Sequence, residues 1–223
     1  MQNITNLKNT LYYHSFSAVG GYEESRGPLG NLFDFTDTSD KFGMSTWERA
    51  EGEMSRLAIN FALKKGKVTS SDMSYLVAGD LQNQCVASSG GLYSFGIPYI
   101  GLYGACSTCT ESIMVLSSFL SLSDAKFGVA VTSSHNCAAE RQFRTPIEYG
   151  GQRTPSAQWT ATAAGAFVIG KVSSQAKITG FMPGKIVDGY TCDPSSMGTA
   201  MALAASDSIL SFFEKESMKK TSL

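Results

Sequence analysis

A chain of 223 residues, 43% hydrophobic and 17% charged, carries enough apolar surface for one substantial core and lies outside the composition of disordered segments. Eighteen basic residues balance nineteen acidic ones with no Lys/Arg run, so the electrostatic footprint of a nucleic-acid binder is missing and no nucleic acid is expected as a partner. Five cysteines, an odd number behind an N-terminus without secretory character, speak for free thiols in a reducing compartment rather than a disulfide framework.

The opening MQNITNLKNTLYYHSF has one Lys and no continuous apolar stretch before a small-residue cleavage site, so no signal peptide is expected. No stretch reaches the ~18 consecutive apolar residues of a spanning helix. Residues 1 to 43, rich in Gly, Asp, Ser and Thr and holding Gly27-Pro28-Leu29-Gly30, predict an irregular entry segment. Ser45-Thr46-Trp47-Glu48 has capping-box spacing. Trp47, Ala50, Met54, Leu57, Ala58, Phe61 and Ala62 then recur at helical spacing up to Lys64-Lys65-Gly66, which predicts an amphipathic helix.

Tyr75-Leu76-Val77-Ala78 before Gly79-Asp80, and Ile97 to Leu102 before Gly104, read as strands buried on both faces. From Cys106 to about Leu122 the residues are small or apolar on nearly every side, the pattern of a helix surrounded by protein at the centre of the fold. Phe127 to Thr132 and Ala164 to Ile169 predict two further buried strands around a polar stretch, 133 to 162. A strand-like ITGFMPGKIVDGY and an apolar helix, Gly198 to Phe213, complete the chain. Strands alternating with helices and reading as continuous apolar runs define an α/β fold with a mainly parallel sheet.

The sharpest chemical feature is Cys106, between a glycine turn and the start of a buried helix. Helix N-terminal amides stabilise a thiolate there; the plain alternative is a buried cysteine without reactivity. Cys106 and Cys109 spell Cys-x-x-Cys without a thioredoxin context, and a zinc set of Cys106, Cys109, His135 and Cys137 fits no finger or ribbon spacing. His135, just past a strand, is either the base for the thiol or a histidine bonded to its own loop. Asp80 and Asn83 either face the same cleft or cap the next helix.

The insertion 133 to 160 holds Arg141, Arg144 and Arg153 with Asn136, Gln142, Gln152 and Gln158, donors suited to a carboxylate; Glu140 and Arg144 also have the spacing of a helix-face ion pair. No G-x-G-x-x-G, phosphate loop, H-E-x-x-H or Gly-x-Ser-x-Gly occurs, which removes local support for dinucleotide, nucleotide, zinc-protease and α/β-hydrolase chemistry. Cysteine chemistry or ligand binding remain.

The strings GPLG (27 to 30), AGDLQNQ (78 to 84), GACSTCTES (104 to 112), TSSHN (132 to 136), AERQFRTPIEYGGQRTP (139 to 155) and DPSSMGTAMA (193 to 202) run in order between Gly27 and Ser208. Together they resemble the stage V sporulation protein AD family. The resemblance implies a thiolase-like layered α/β/α/β/α body of two similar halves. Residues 1–171 would be the first half and 172–223 the start of a second half that is largely missing.

It further implies a role in endospore formers, peripheral to the cytoplasmic side of the spore inner membrane. The partners implied are dipicolinic acid or its calcium chelate, the other membrane proteins of the spore transport complex, and a homodimer as an option. Binding rather than thiolase catalysis is implied, without cofactor or metal. Within that resemblance Arg141 and Arg144 are the expected carboxylate partners, with Asp80, Asn83, Cys106, His135 and Asn136 lining the pocket. The enzymatic alternative is an acyltransferase or thioesterase using Cys106 and His135. The thiolase-type second Cys and His would belong to the part beyond this chain, and Cys109 and Cys137 stand where small polar or apolar residues are expected.

Overall fold

The computed structural model describes residues 3–143, 160–192 and 197–216, the side chains of 140–143 excepted. The chain divides into two compact units, one of Lys8–Gly151 with Trp159–Ile178, the other of Met1–Leu7, Gln152–Gln158 and Thr179–Leu223.

The first strand, β1 (Thr5–Gly20), lies where the sequence predicts irregular structure. Its inward face explains the miss: beside buried Leu11 and Val19 it turns Ser15 and Ser17 toward the core. Ser15 Oγ donates to Ala62 O at 2.7 Å and Ser17 Oγ to Ala58 O, so hydroxyls occupy positions where a strand pattern is read from apolar side chains. A short helix, α1 (Tyr22–Arg26), and a two-residue strand, β2 (Phe35–Thr36), follow.

The long helix α2 (Trp47–Gly66) matches its expected span. Its N-cap is Thr46, whose side chain accepts from Arg49 N at 3.3 Å. The helix ends on Lys67 in the left-handed region. Ala50, Met54, Ala58, Ile59 and Ala62 are fully buried against Val19, Val129, Ala166 and Val168. Then come β3 (Met73–Gly79), α3 (Val86–Leu92), β4 (Tyr99–Leu102), α4 (Thr108–Leu122), β5 (Phe127–Ser134), α5 (Asn136–Phe143) and β6 (Ala163–Gly170). Where α3 meets α2 the backbones touch: a Cβ at Gly91 would stand 2.5 Å from Gly52 Cα.

The strand order is β2-β1-β6-β5-β3-β4. β3 runs parallel to β4 and β5, β2 parallel to β1, and β6 antiparallel to both β1 and β5, so one strand of this path opposes the others. β4 is an edge strand with Tyr99 exposed, not buried on both faces as its apolar composition predicts.

α4 lies on the face opposite α2. Leu116 sits over Gly128, whereas the neighbouring Val129, pointing the other way, packs with Met54 and Ile59. The helix is not surrounded by protein: Thr108, Ser112, Leu116, Ser117, Leu120 and Ser121 are buried, but Phe119 and Leu122 are exposed. By length and composition, 105–122 is the one segment among the described helices able to cross a membrane. Its contacts with β3 and β5 make it a helix of the body.

β7 (Lys177–Phe181) straddles the boundary between the units. Within the smaller unit Gly180 lies beside Thr5 O. The helix α6 (Met197–Lys215) of that unit has no buried residue and holds Lys185 Nζ to Asp207 at 2.8 Å.

Candidate functional site

The registers fix where the chemistry collects. Gly79 is opposite Leu102 on one side and Thr132 on the other, so the segments after β3, β4 and β5 leave the sheet at one carboxyl edge. Ligands of open α/β sheets bind at such edges.

After β3, Asp80 is 1% exposed. Its Oδ1 accepts from Gln82 N at 2.9 Å, and its Oδ2 accepts from Ser88 N at 2.7 Å and Ser88 Oγ at 2.6 Å. The carboxylate therefore caps the first turn of α3 and folds the intervening loop. That loop carries two successive non-glycine residues in the left-handed region, Gln84 at φ 60 and Cys85 at φ 55. Each costs on the order of 1 kcal/mol or more and persists because its surroundings hold it. The Cys85 thiol donates to Leu102 O at 3.0 Å, and burial pushes its pKa up. Asn83 Oδ1 accepts from Tyr103 OH at 3.1 Å, which links the loop after β3 to the one after β4.

Between β4 and α4, Gly104 N donates to Thr108 Oγ1 at 3.2 Å and Ala105 adopts φ 49. Cys106, next in sequence, is exposed. The Glu111 side chain lies against this turn, its Oε2 2.0 Å from where a Cβ on Gly104 would stand.

After β5, His135 is fully buried. Its Nε2 donates to Asp40 O at 2.8 Å, its Nδ1 accepts from Cys137 N at 3.2 Å, and its ring lies 5.3 Å from that of Trp47. Both ring nitrogens are committed, which defines the Nε2–H tautomer and makes the imidazole a cap for α5. Among the described residues no hydrogen bond joins it to Cys106. Asn136 N donates to Thr162 Oγ1 at 3.1 Å, while Asn136 Oδ1 is shielded from solvent with no hydrogen-bond partner among the described residues. Arg141 is placed on α5 by its backbone; its side chain, and Arg144 altogether, lie outside the described residues.

The buried carboxylate of Glu51 escapes the sequence reading. It is 0% exposed on α2; its Oε1 accepts from Ser133 Oγ at 3.0 Å and its Oε2 from Gln82 Nε2 at 2.6 Å. Loss of solvation, with Asp80 nearby adding to it, raises its pKa to about 7 against the opposing hydrogen bonds. The available signal is a carboxylate on the apolar stripe, three residues before Met54 and seven before Ala58. Among the described residues no group of three or more His, Cys, Asp or Glu side chains is arranged to hold a metal ion.

The architecture is that of the thiolase-like class. A crystal structure of a glutamate-to-glutamine variant of OleA from Xanthomonas campestris superposes with a TM-score of 0.63 over 96% of this chain and 74% of that chain, at 9% identity. The co-crystal of OleA with cerulenin bound gives 0.62 over 96% and 73%, also at 9% identity. Likeness at that identity concerns the fold. Sequence carries the assignment further: the model of the family described as Stage V sporulation protein AD matches residues 2–222. The Bacillus subtilis (strain 168) protein named Stage V sporulation protein AD is 41% identical over 208 residues, 93% of this chain and 62% of that protein. The chain belongs to the stage V sporulation protein AD family, a family of sporulation proteins, and spans less than two thirds of the length of this relative.

Proposed function

We propose that the chain is a non-catalytic ligand-binding component of the spore transport system, taking dipicolinic acid or its calcium chelate at the carboxyl edge of β3, β4 and β5. It works beside the membrane proteins of that system, peripheral to the spore inner membrane, in sporulation and germination. The observation that carries this reading is the state of His135. Thiol catalysis needs a neighbouring proton acceptor, and this imidazole commits one nitrogen to Asp40 O and the other to Cys137 N.

Binding a flat dianion asks instead for fixed donors and a dry wall. Asn136 has a buried amide oxygen uncommitted among the described residues, and turning the amide over presents its NH2 at that position. In this reading Arg141 and Arg144 take the carboxylates, Cys106 and Asn83 border the pocket, and Asp80, its charge met by three donors, shapes the loop without repelling the ligand.

Thermal unfolding with dipicolinate, with and without calcium, against benzoate tests the reading. Selective stabilisation that Arg144→Ala and Asn136→Ala each weaken is expected, and its absence removes the proposal. Intact mass after incubation with an acyl-CoA supplies the contrary outcome, since a stable adduct on Cys106 would favour acyl transfer.

A further inference from the structure

α2 carries one carboxyl into the core, where it joins two segments of the carboxyl edge. Glu51 is fully buried; Ser133 Oγ, at the end of β5, donates to its Oε1, and Gln82 Nε2, in the loop after β3, donates to its Oε2. Gln82 is itself 1% exposed, and among the described residues its side chain makes no other hydrogen bond, so this contact is its anchor. The groups around Glu51 favour its neutral form. α3, β5 and β6, packed against α2, hold no titratable side chain. The loop after β3 brings the Asp80 carboxylate and α2 itself brings Glu48, both of like charge, while Arg56 is taken by Glu53. His135, beyond β5, has both ring nitrogens committed, and the described side chains of α5 offer only the Cys137 thiol. Burial without a basic partner among these residues raises the pKa of the carboxyl to about 7.

We propose that Glu51 is a proton-operated clasp on the carboxyl edge: protonated, it holds the loop after β3 to the end of β5, and ionised, it takes up water and lets that loop go. A charge confined there between two neutral donors is costly, and water reaches it only if a covering segment moves. The loop after β3 has its own drive to move, because Gln84 and Cys85 are both held in the left-handed region. Asn83 passes the movement to Tyr103 after β4. The proton is thus the charge change and the strained loop the two-state element that it biases. Where the clasp bears on the ligand it rests on the binding reading above: release loosens the grip on a dianion, and the ionised carboxylate adds a like charge beside it.

Hydrogen exchange on the full chain without ligand reads the clasp. Corrected for the intrinsic rate, the amides of Gln82 and Ser88 should exchange ahead of that of Val77, buried in the middle of β3. They should lose about tenfold in protection from pH 6 to pH 8, the factor that a carboxyl with its pKa at about 7 imposes on an opening that solvates it. In Glu51→Gln, which keeps the shape and cannot ionise, the loss should vanish. Loop exchange that does not change with pH in the native chain, that occurs only together with Val77, or that changes equally in Glu51→Gln would overturn the proposal. Dipicolinate affinity, measured by calorimetry, reads the consequence: about tenfold weaker at pH 8 than at pH 6 in the native chain, and constant in Glu51→Gln. Binding equally tight at both pH values despite a released loop would overturn the coupling to the ligand. No binding at either pH would remove the ligand reading instead, and exchange alone then upholds or overturns the clasp.

Discussion

Gln82 Nε2 donates to Glu51 Oε2 at 2.6 Å, joining a helix beneath the sheet to the loop that leaves its carboxyl edge. Ser133 Oγ reaches the other oxygen of the same carboxyl from the end of β5. One buried group thus sets the spacing of two of the three segments that border the candidate site.

Glu51 makes stability depend on pH. Unfolded, it ionises near 4.5; folded, it keeps its proton up to about 7. The folded state binds more protons between these values, so this contribution is complete below pH 4.5, falls as pH rises across the window and is gone above pH 7. The full shift corresponds to roughly 3 kcal/mol as an upper bound. Urea unfolding at pH 5 and pH 8 should show the decline in the native chain. Glu51→Gln should flatten it, since a neutral amide can also donate to Gln82 Oε1, which has no hydrogen-bond partner among the described residues.

Asp80→Ala should cost about 2–4 kcal/mol, because it strands the buried amides of Gln82 and Ser88 together. The loss is read in urea unfolding without any ligand. A stability unchanged from the native chain would mean that the loop holds its left-handed residues by other means.

Gly91→Ala should destabilise by about 1–3 kcal/mol, since the added methyl meets Gly52 Cα at 2.5 Å and backbone, unlike a side chain, cannot swing away. Gly90→Ala, one residue earlier with nothing within 4 Å, is the matched control and should be neutral or slightly stabilising.

Alkylation should sort the cysteines. Cys106 and Cys192 are exposed and should react with iodoacetamide first. Cys85 is buried, donates to Leu102 O and has its pKa raised, so it should stay unmodified until the protein unfolds. Peptide mapping after a short exposure at pH 7.5 reads the order.

The sequence made the helical and apolar elements legible because their periodicity reports packing directly, as in α2, β3, β5 and β6. β1 stayed hidden because its inward positions hold serines whose hydroxyls bond helix carbonyls, a contact no hydrophobic pattern registers. β4 and α4 read as enclosed because apolar composition measures what a segment can bury, not what covers it. Cys106, His135 and Asp80 stood out by residue type and position, yet type cannot say how many hydrogen bonds a group already makes. Glu51 was overlooked for the same reason in reverse: a lone carboxylate on an apolar stripe looks like a gap in the pattern until its partners from β5 and the β3 loop are seen.

The bond from His135 to Asp40 O spans 95 positions of sequence. The first turn of α5 thereby takes its place from a distant stretch of chain, and long loops close slowly against their entropy. The pairing of β1 with β6 closes a longer loop still, Phe16 lying opposite Phe167, so the sheet is expected to be completed after this corner, once β6 has left the ribosome.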